Sequence, residues 1–248
     1  MRAFLVRTGL AALGVLYVVM GIVSARVALL GAKDRGQGVP GALAFLLERP
    51  LGPWILGAVV AGLAGIALAH AAGAVRGRER GVARVLLAVN AIGYAALVWT
   101  AARLLLHLRR GGGLEEAGAS WLFAKTWGPA VVKVVAVLVA AGGAWELWQG
   151  IRGKLTFRRD LLPRGLVKGL SAIARFGLLS RGLVVVAVGY FLFRAAAELD
   201  AQRVPTIGGA LRAFSHTALG PVFVGVVALG LSAYGVYLWT LMLLKRRV

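Results

Sequence analysis

Cysteine is absent from the sequence, which excludes disulfides and thiolate-based metal or redox chemistry. Histidine is scarce: His70, His107 and His216 are scattered and show no ligand spacing such as HxxxH, so no metal site is expected. Charge is sparse as well, at 15% of residues, and acidic charge sparser still, with 9 Asp and Glu against 29 Lys and Arg. There is no HExxH, GxSxG, Walker A or well-placed GxGxxG, and no carboxylate pair or Ser/His/Asp set that the sequence brings together. Neither an enzyme nor a cofactor is expected.

Apolar sequence is plentiful. Of 248 residues, 60% are hydrophobic and the mean hydropathy is +0.82. A soluble domain of this size has too little interior to hide that much apolar surface, so lipid must be part of the solvent. Thr8 to Ala25 could pass for a secretory signal ending in Val23-Ser24-Ala25, but the run is longer than a signal core and further spans follow, so it reads as a retained membrane helix. The net charge of +20 would suggest nucleic acid in a soluble protein. Here the basic residues sit at the ends of apolar segments, which favours an anionic membrane surface, and no nucleic-acid-binding motif is visible.

Sliding the chain by 168 residues superposes its start on its end without a gap. Arg7, Gly9, Gly14, Gly21 and Arg26 fall on Arg175, Gly177, Gly182, Gly189 and Arg194. Gly41-Ala42-Leu43 meets Gly209-Ala210-Leu211, and Leu51-Gly52-Pro53 meets Leu219-Gly220-Pro221. A weaker middle copy matches Arg7, Tyr17 and Arg26 with Arg84, Tyr94 and Arg103, and Gly52-Pro53 with Gly128-Pro129 after a one-residue slip. Each copy reads as a helix, an extramembrane loop, a Gly-Pro start and a second helix, proline being suited to a first turn where its missing N–H has no partner. The helices fall near 4–30, 53–76, 83–107, 129–151, 178–199 and 220–244. Gly65, Ala69, Gly73 and Gly77 make a small-residue stripe for close helix packing. The pattern Arg-x-Gly, a Tyr or equivalent, Gly, Arg, then Gly-Ala-Leu and Leu-Gly-Pro resembles the bacterial membrane family called domain of unknown function 1206, as three copies over nearly the whole chain. In the middle copy Leu86 and Ala91 replace the glycines at the Gly9 and Gly14 positions. The resemblance implies membrane location and architecture, and no catalytic residues.

The expected fold is therefore all-α, six transmembrane helices as three parallel two-helix repeats about a pseudo-threefold axis. Residues 1–80 form repeat 1, 81–153 repeat 2, 154–174 a cytoplasmic linker with an interfacial helix, and 175–248 repeat 3. Lys and Arg number 17 on the side of the termini and 11 on the other, with Lys133 inside a helix. The positive-inside rule then places both termini in the cytoplasm of a multi-pass protein of the bacterial plasma membrane.

Arg7/Arg26, Arg84/Arg103 and Arg175/Arg194 are each 19 residues apart, roughly 28 Å along a helix and close to the hydrocarbon thickness. Such arginines bracket the span and snorkel to headgroups; a sharper reading makes Arg26, Arg103 and Arg194 an outer ring that draws anions. His70, Asn90, Glu146 and Arg181 each lie six residues inside a boundary arginine and form a polar layer roughly 9 Å deep. They are expected either as interhelical clamps, His70–Asn90 and Glu146–Arg181, or as a hydrated vestibule. Lys133 is expected to snorkel. Leu166, Leu170 and Ile173 face one way over residues 164–176, and Arg164, Lys168, Ser171 and Arg175 the other, the pattern of an interfacial helix on anionic lipid.

Two function classes follow. One is a non-catalytic scaffold, lipid-interacting module or partner subunit; the other is a small-solute or anion channel or carrier with a cytoplasm-side vestibule. The expected partners are the bilayer, its anionic lipids and, for the first class, a protein or a second copy. A packed bundle centre favours the first class and a hollow one the second.

Overall fold

The computed structural model describes residues 2–30, 39–76, 81–106, 125–153, 163–198 and 220–244. Among the described residues all regular structure is helical: α1 Arg2–Leu30, α2 Val39–Leu47, α3 Gly52–Arg76, α4 Val82–Leu105, α5 Gly128–Arg152, α6 Arg164–Glu198 and α7 Gly220–Leu244. Five helices, α1, α3, α5, α6 and α7, are long and apolar enough to cross a membrane. With no water in hydrocarbon to satisfy a backbone, helices that bond their own N–H and C=O groups are the form such segments must take. The Gly-Pro pairs open α3, α5 and α7 as the sequence predicts. Gly153, left-handed at φ 63°, closes α5 by donating its N–H to the Gln149 carbonyl.

Two elements differ from the sequence reading. The first is α2, in a stretch expected to be loop. It is wholly apolar, and its Ala42 and Leu43 are completely buried in the main core with Leu16, Met20, Leu56 and Leu63. It packs on α1, α3 and α4, tucking back among the ends of the helices it connects.

The second is α6. The stretch 164–176 is not a separate interfacial helix in a linker; it forms the first turns of one continuous helix of 35 residues, about 52 Å long against a hydrocarbon core of about 30 Å. The reason lies in the neighbouring helix: Leu170, Ala174 and Leu178 pack against Tyr234, Tyr237 and Leu241 of α7, which carries the helix through this stretch. Of the face expected to meet lipid, Leu166 and Ile173 remain exposed.

Around the bundle, α3 packs on α1, α1 on α7, α7 on α6, α6 on α5, and α4 on α3. The contacts repeat. A Cβ at Gly9 of α1 would meet Ile66 Cβ of α3 at 2.5 Å, and a Cβ at Gly177 of α6 would meet the Tyr234 backbone nitrogen of α7 at 2.5 Å. These pairs are related by the 168-residue shift. Between units, Gly235 of α7 sits on the Gly14 carbonyl of α1, as Gly143 of α5 sits on the Gly182 carbonyl of α6. Only glycine permits such backbone approach, which replaces the hydrophobic effect as the source of cohesion between membrane helices.

One side of this arrangement is open. Among the described residues α4 and α5 do not pack as a hairpin. At the offsets that align the sequence with itself, Leu86 of α4 and Leu138 of α5 stand where α1 and α3 have Gly9 and Gly62, so the glycines that admit α3 to α1 have no counterpart there. At the position of Ile66 and Tyr234 stands Gly142, with nothing within 4 Å of where its Cβ would be.

Candidate functional site

Long helices place polar or aromatic side chains around Arg181 of α6. Arg181 donates from Nη1 to Glu146 Oε1 of α5 and from Nε to the Tyr17 hydroxyl of α1 at 2.8 Å. Its guanidinium also faces two rings, Tyr234 of α7 at 5.0 Å and Tyr17 at 5.6 Å, which themselves meet edge to face at 4.9 Å. The quadrupole of each ring favours a cation over its face. Tyr94 of α4 lies near enough to feel the charge of Arg181, and His70 of α3 lies 5.3 Å from the Tyr94 ring. The Ile66 carbonyl accepts a 2.8 Å hydrogen bond from His70 Nδ1, which leaves Nε2 as the acceptor of the neutral ring.

The ion pair is one-armed. A guanidinium and a carboxylate can meet through two parallel bonds, but here Glu146 Oε2 is buried with no partner among the described residues. Arg181 Nη2 has no hydrogen bond there either. Both side chains keep 21% of their surface accessible. The pair can thus be approached although it lies deep among apolar helices.

Of the expected polar layer, the structure brings Glu146 and Arg181 together and sets His70 against Tyr94. Asn90 is exposed on α4, one turn from Tyr94. The expected outer ring is engaged locally: Arg26 lies over Phe45 of α2, Arg103 over Trp99 of its own helix, and Arg194 pairs with Glu198 one turn on. Lys133 is half-buried near the start of α5. Among the residues expected to face lipid, Lys168 is exposed and the Arg164 side chain lies outside the described residues. Arg175 is exposed but committed to protein, donating to the Gly150 and Ile151 carbonyls at 3.0 and 2.7 Å. Its counterpart Arg84 donates to the Ala74 carbonyl at 2.6 Å. Both cap the last carbonyls of the neighbouring helix, a use that boundary position alone did not reveal.

The tyrosines carry no such signal in the sequence. Tyr17 and Tyr94 mark aligned positions of the repeat, Tyr234 stands at the position of Ile66, and no local pattern announces a cation between them. An outer groove of about 460 Å³, lined by Pro53, Trp54, Gly57, Ala58 and Leu105, is apolar and stands apart from this cluster. Among the described residues no three or more His, Asp or Glu could share a metal ion.

The chain is 23% identical to Uncharacterized protein YxxB of Bacillus subtilis (strain 168), covering 93% of this chain and 86% of the relative. No solved structure matches. The profile of one family matches at residues 8–77 and again at 176–241, more than half of the chain, with the two matches starting 168 positions apart as the internal repeat does. The chain therefore belongs to the membrane-protein family described as Domain of Unknown Function (DUF1206).

Proposed function

We propose that this chain is a non-catalytic, lipid-interacting module of the bacterial plasma membrane that crosses it six times and conducts no solute. The carrying observation is the filled interior: Leu16, Met20, Leu43, Leu56, Leu63 and Leu231 are at most 2% exposed, and α2 is wedged among α1, α3 and α4. A solid apolar layer of this kind offers no hydrated path through the bundle. The sixth crossing is α4, whose 24 residues span about 36 Å. Three two-helix units then share one orientation, with the middle one the most diverged and its two helices apart among the described residues.

Proteoliposomes test the reading. Carrying the purified chain, they should pass chloride, phosphate and amino acids no faster than protein-free vesicles; a saturable flux would overturn it in favour of the vestibule reading, for which the accessible Glu146–Arg181 pair speaks. Topology is tested separately. Reporter fusions after Arg80 and Leu161 should read cytoplasmic, and those after Arg35, Gly112 and Gln202 external. A reversed signal at residue 80 or 161 would overturn the N-in, C-in orientation.

A further inference from the structure

Residues one turn apart on a helix share a face. On α5 that places Gly142 directly beside Glu146, and on α4 it places Asn90 beside Tyr94. The equivalents of Gly142 in the other copies, Ile66 and Tyr234, point at the first helix of their own hairpin. Gly142 therefore points toward α4, across the side where the two helices do not pack. Among the described residues, the α4–α5 side is therefore the open approach to the Glu146–Arg181 pair.

What fits there follows from the pair's chemistry. One guanidinium nitrogen and one carboxylate oxygen are unclaimed, on bonded partners of opposite charge. An anion alone would take Arg181 and strand a buried carboxylate; a cation alone would be repelled by the guanidinium. A ligand with both an acid group and a primary ammonium satisfies the two at once and keeps the site neutral. Oε2 itself is buried, but Glu146 keeps 21% of its side-chain surface accessible, and a partial turn about its soft terminal torsion brings the carboxylate edge toward that accessible side. The Tyr17 and Tyr234 rings hold the guanidinium in place while its free edge is engaged.

We propose that the α4–α5 gap is a lateral binding site for a primary-amine zwitterion, the chemistry shared by the phosphoethanolamine headgroup and free amino acids. It deepens the lipid-interacting reading above and rests on it for the sideways approach.

The test uses the full chain in nanodiscs of equal phosphatidylethanolamine, phosphatidylglycerol and phosphatidylcholine, with retained lipid read by native mass spectrometry. In parallel, melting is followed in detergent with glycine or O-phosphoethanolamine. Phosphatidylcholine, whose quaternary nitrogen has no N–H, is the informative control. The expected result is about tenfold preferential retention of phosphatidylethanolamine, lost in the Glu146→Gln/Arg181→Met double variant and in Gly142→Tyr. Gly142→Tyr leaves the ion pair intact and enters open space, so it stays decisive if the double variant does not fold. Stabilisation by the soluble zwitterions, absent in the same variants and without a lipid preference, would support the site and assign its ligand to the aqueous phase. Equal retention of the three lipids without such stabilisation would overturn the proposal, as would a preference surviving in Gly142→Tyr. Solute flux would count against the non-transporting reading and leave this result standing.

Discussion

The hairpins α1–α3 and α6–α7 are held by glycines set against bulky partners, Gly9 on Ile66 and Gly177 on Tyr234, whereas among the described residues α4 and α5 show no such arrangement. The difference is one of residue volume at a few repeat positions. A leucine where the outer copies have glycine adds a Cβ and three more carbons at a backbone contact, and interiors packed to crystal-like density have no room for them. The α1–α3 and α6–α7 pairs serve cohesion. The α4–α5 side, released from it, leaves the polar pair approachable.

The largest effect should come from forcing the middle copy's residue on an outer one. Gly177→Leu puts a Cβ at 2.5 Å from the Tyr234 backbone nitrogen, where no side chain can rotate away, and should cost about 3 kcal/mol or more. Gly142→Ala, at a helical glycine with open space, should instead stabilise by up to about 1 kcal/mol. Unfolding titrations of both in mixed micelles check the pair. A similar loss for the two would mean that the open side is closed in the membrane.

The next effect concerns what keeps the unpaired helix in the bundle. With no hairpin partner, α5 depends on α6, and Glu146–Arg181 is the ion pair described between them. Glu146→Gln or Arg181→Met alone should lose about 2–3 kcal/mol, below the roughly 3–5 kcal/mol for breaking a fully buried pair because one-fifth of each side chain is accessible. The double variant should recover most of it, with a coupling energy of about 1–3 kcal/mol in the cycle. Coupling near zero would remove the clamp and leave α5 held by the Gly143, Gly182 and Gly189 contacts and the Arg175 cap.

How legible this was depends on the kind of signal. Spans were readable because hydrophobic length is a local property, and the 168-residue repeat because glycine and arginine recur at fixed positions. The Glu146–Arg181 pairing was readable from matched depth, each lying six residues inside a boundary arginine. Three features were not. Apolar α2 resembles any short hydrophobic stretch, and its helicity follows from a pocket built by α1, α3 and α4. The amphipathic face of 164–176 gives no sign that the helix runs on unbroken: Leu170 meets α7 while Leu166 and Ile173 stay exposed. The tyrosines around Arg181 come from three helices distant in sequence, so only the assembled bundle shows that they surround a cation.

The smallest effect separates capping from lipid contact on the same boundary. Arg175 donates twice, to the Gly150 and Ile151 carbonyls, while Arg84 is described donating once, to Ala74. A charged donor to an otherwise unpaired helix-end carbonyl contributes about 1.5–3 kcal/mol when dry and less when water can replace it. Since Arg175 and Arg84 are both exposed, Arg175→Gln should cost about 1 kcal/mol and Arg84→Gln about half that. Lys168 is the control, being exposed on the extended start of α6 with no bond to protein among those described. Lys168→Gln should leave stability unchanged but reduce the phosphatidylglycerol that co-purifies with the chain, as expected for about 1 kcal/mol of headgroup attraction per basic residue. If Arg175→Gln instead strips phosphatidylglycerol without altering the unfolding midpoint, the arginine is a lipid anchor and its carbonyl contacts contribute nothing. A shared loss of stability in Arg175→Gln and Arg84→Gln, unequal in size and insensitive to lipid charge, establishes the cap as a repeated device that holds each unit to the next.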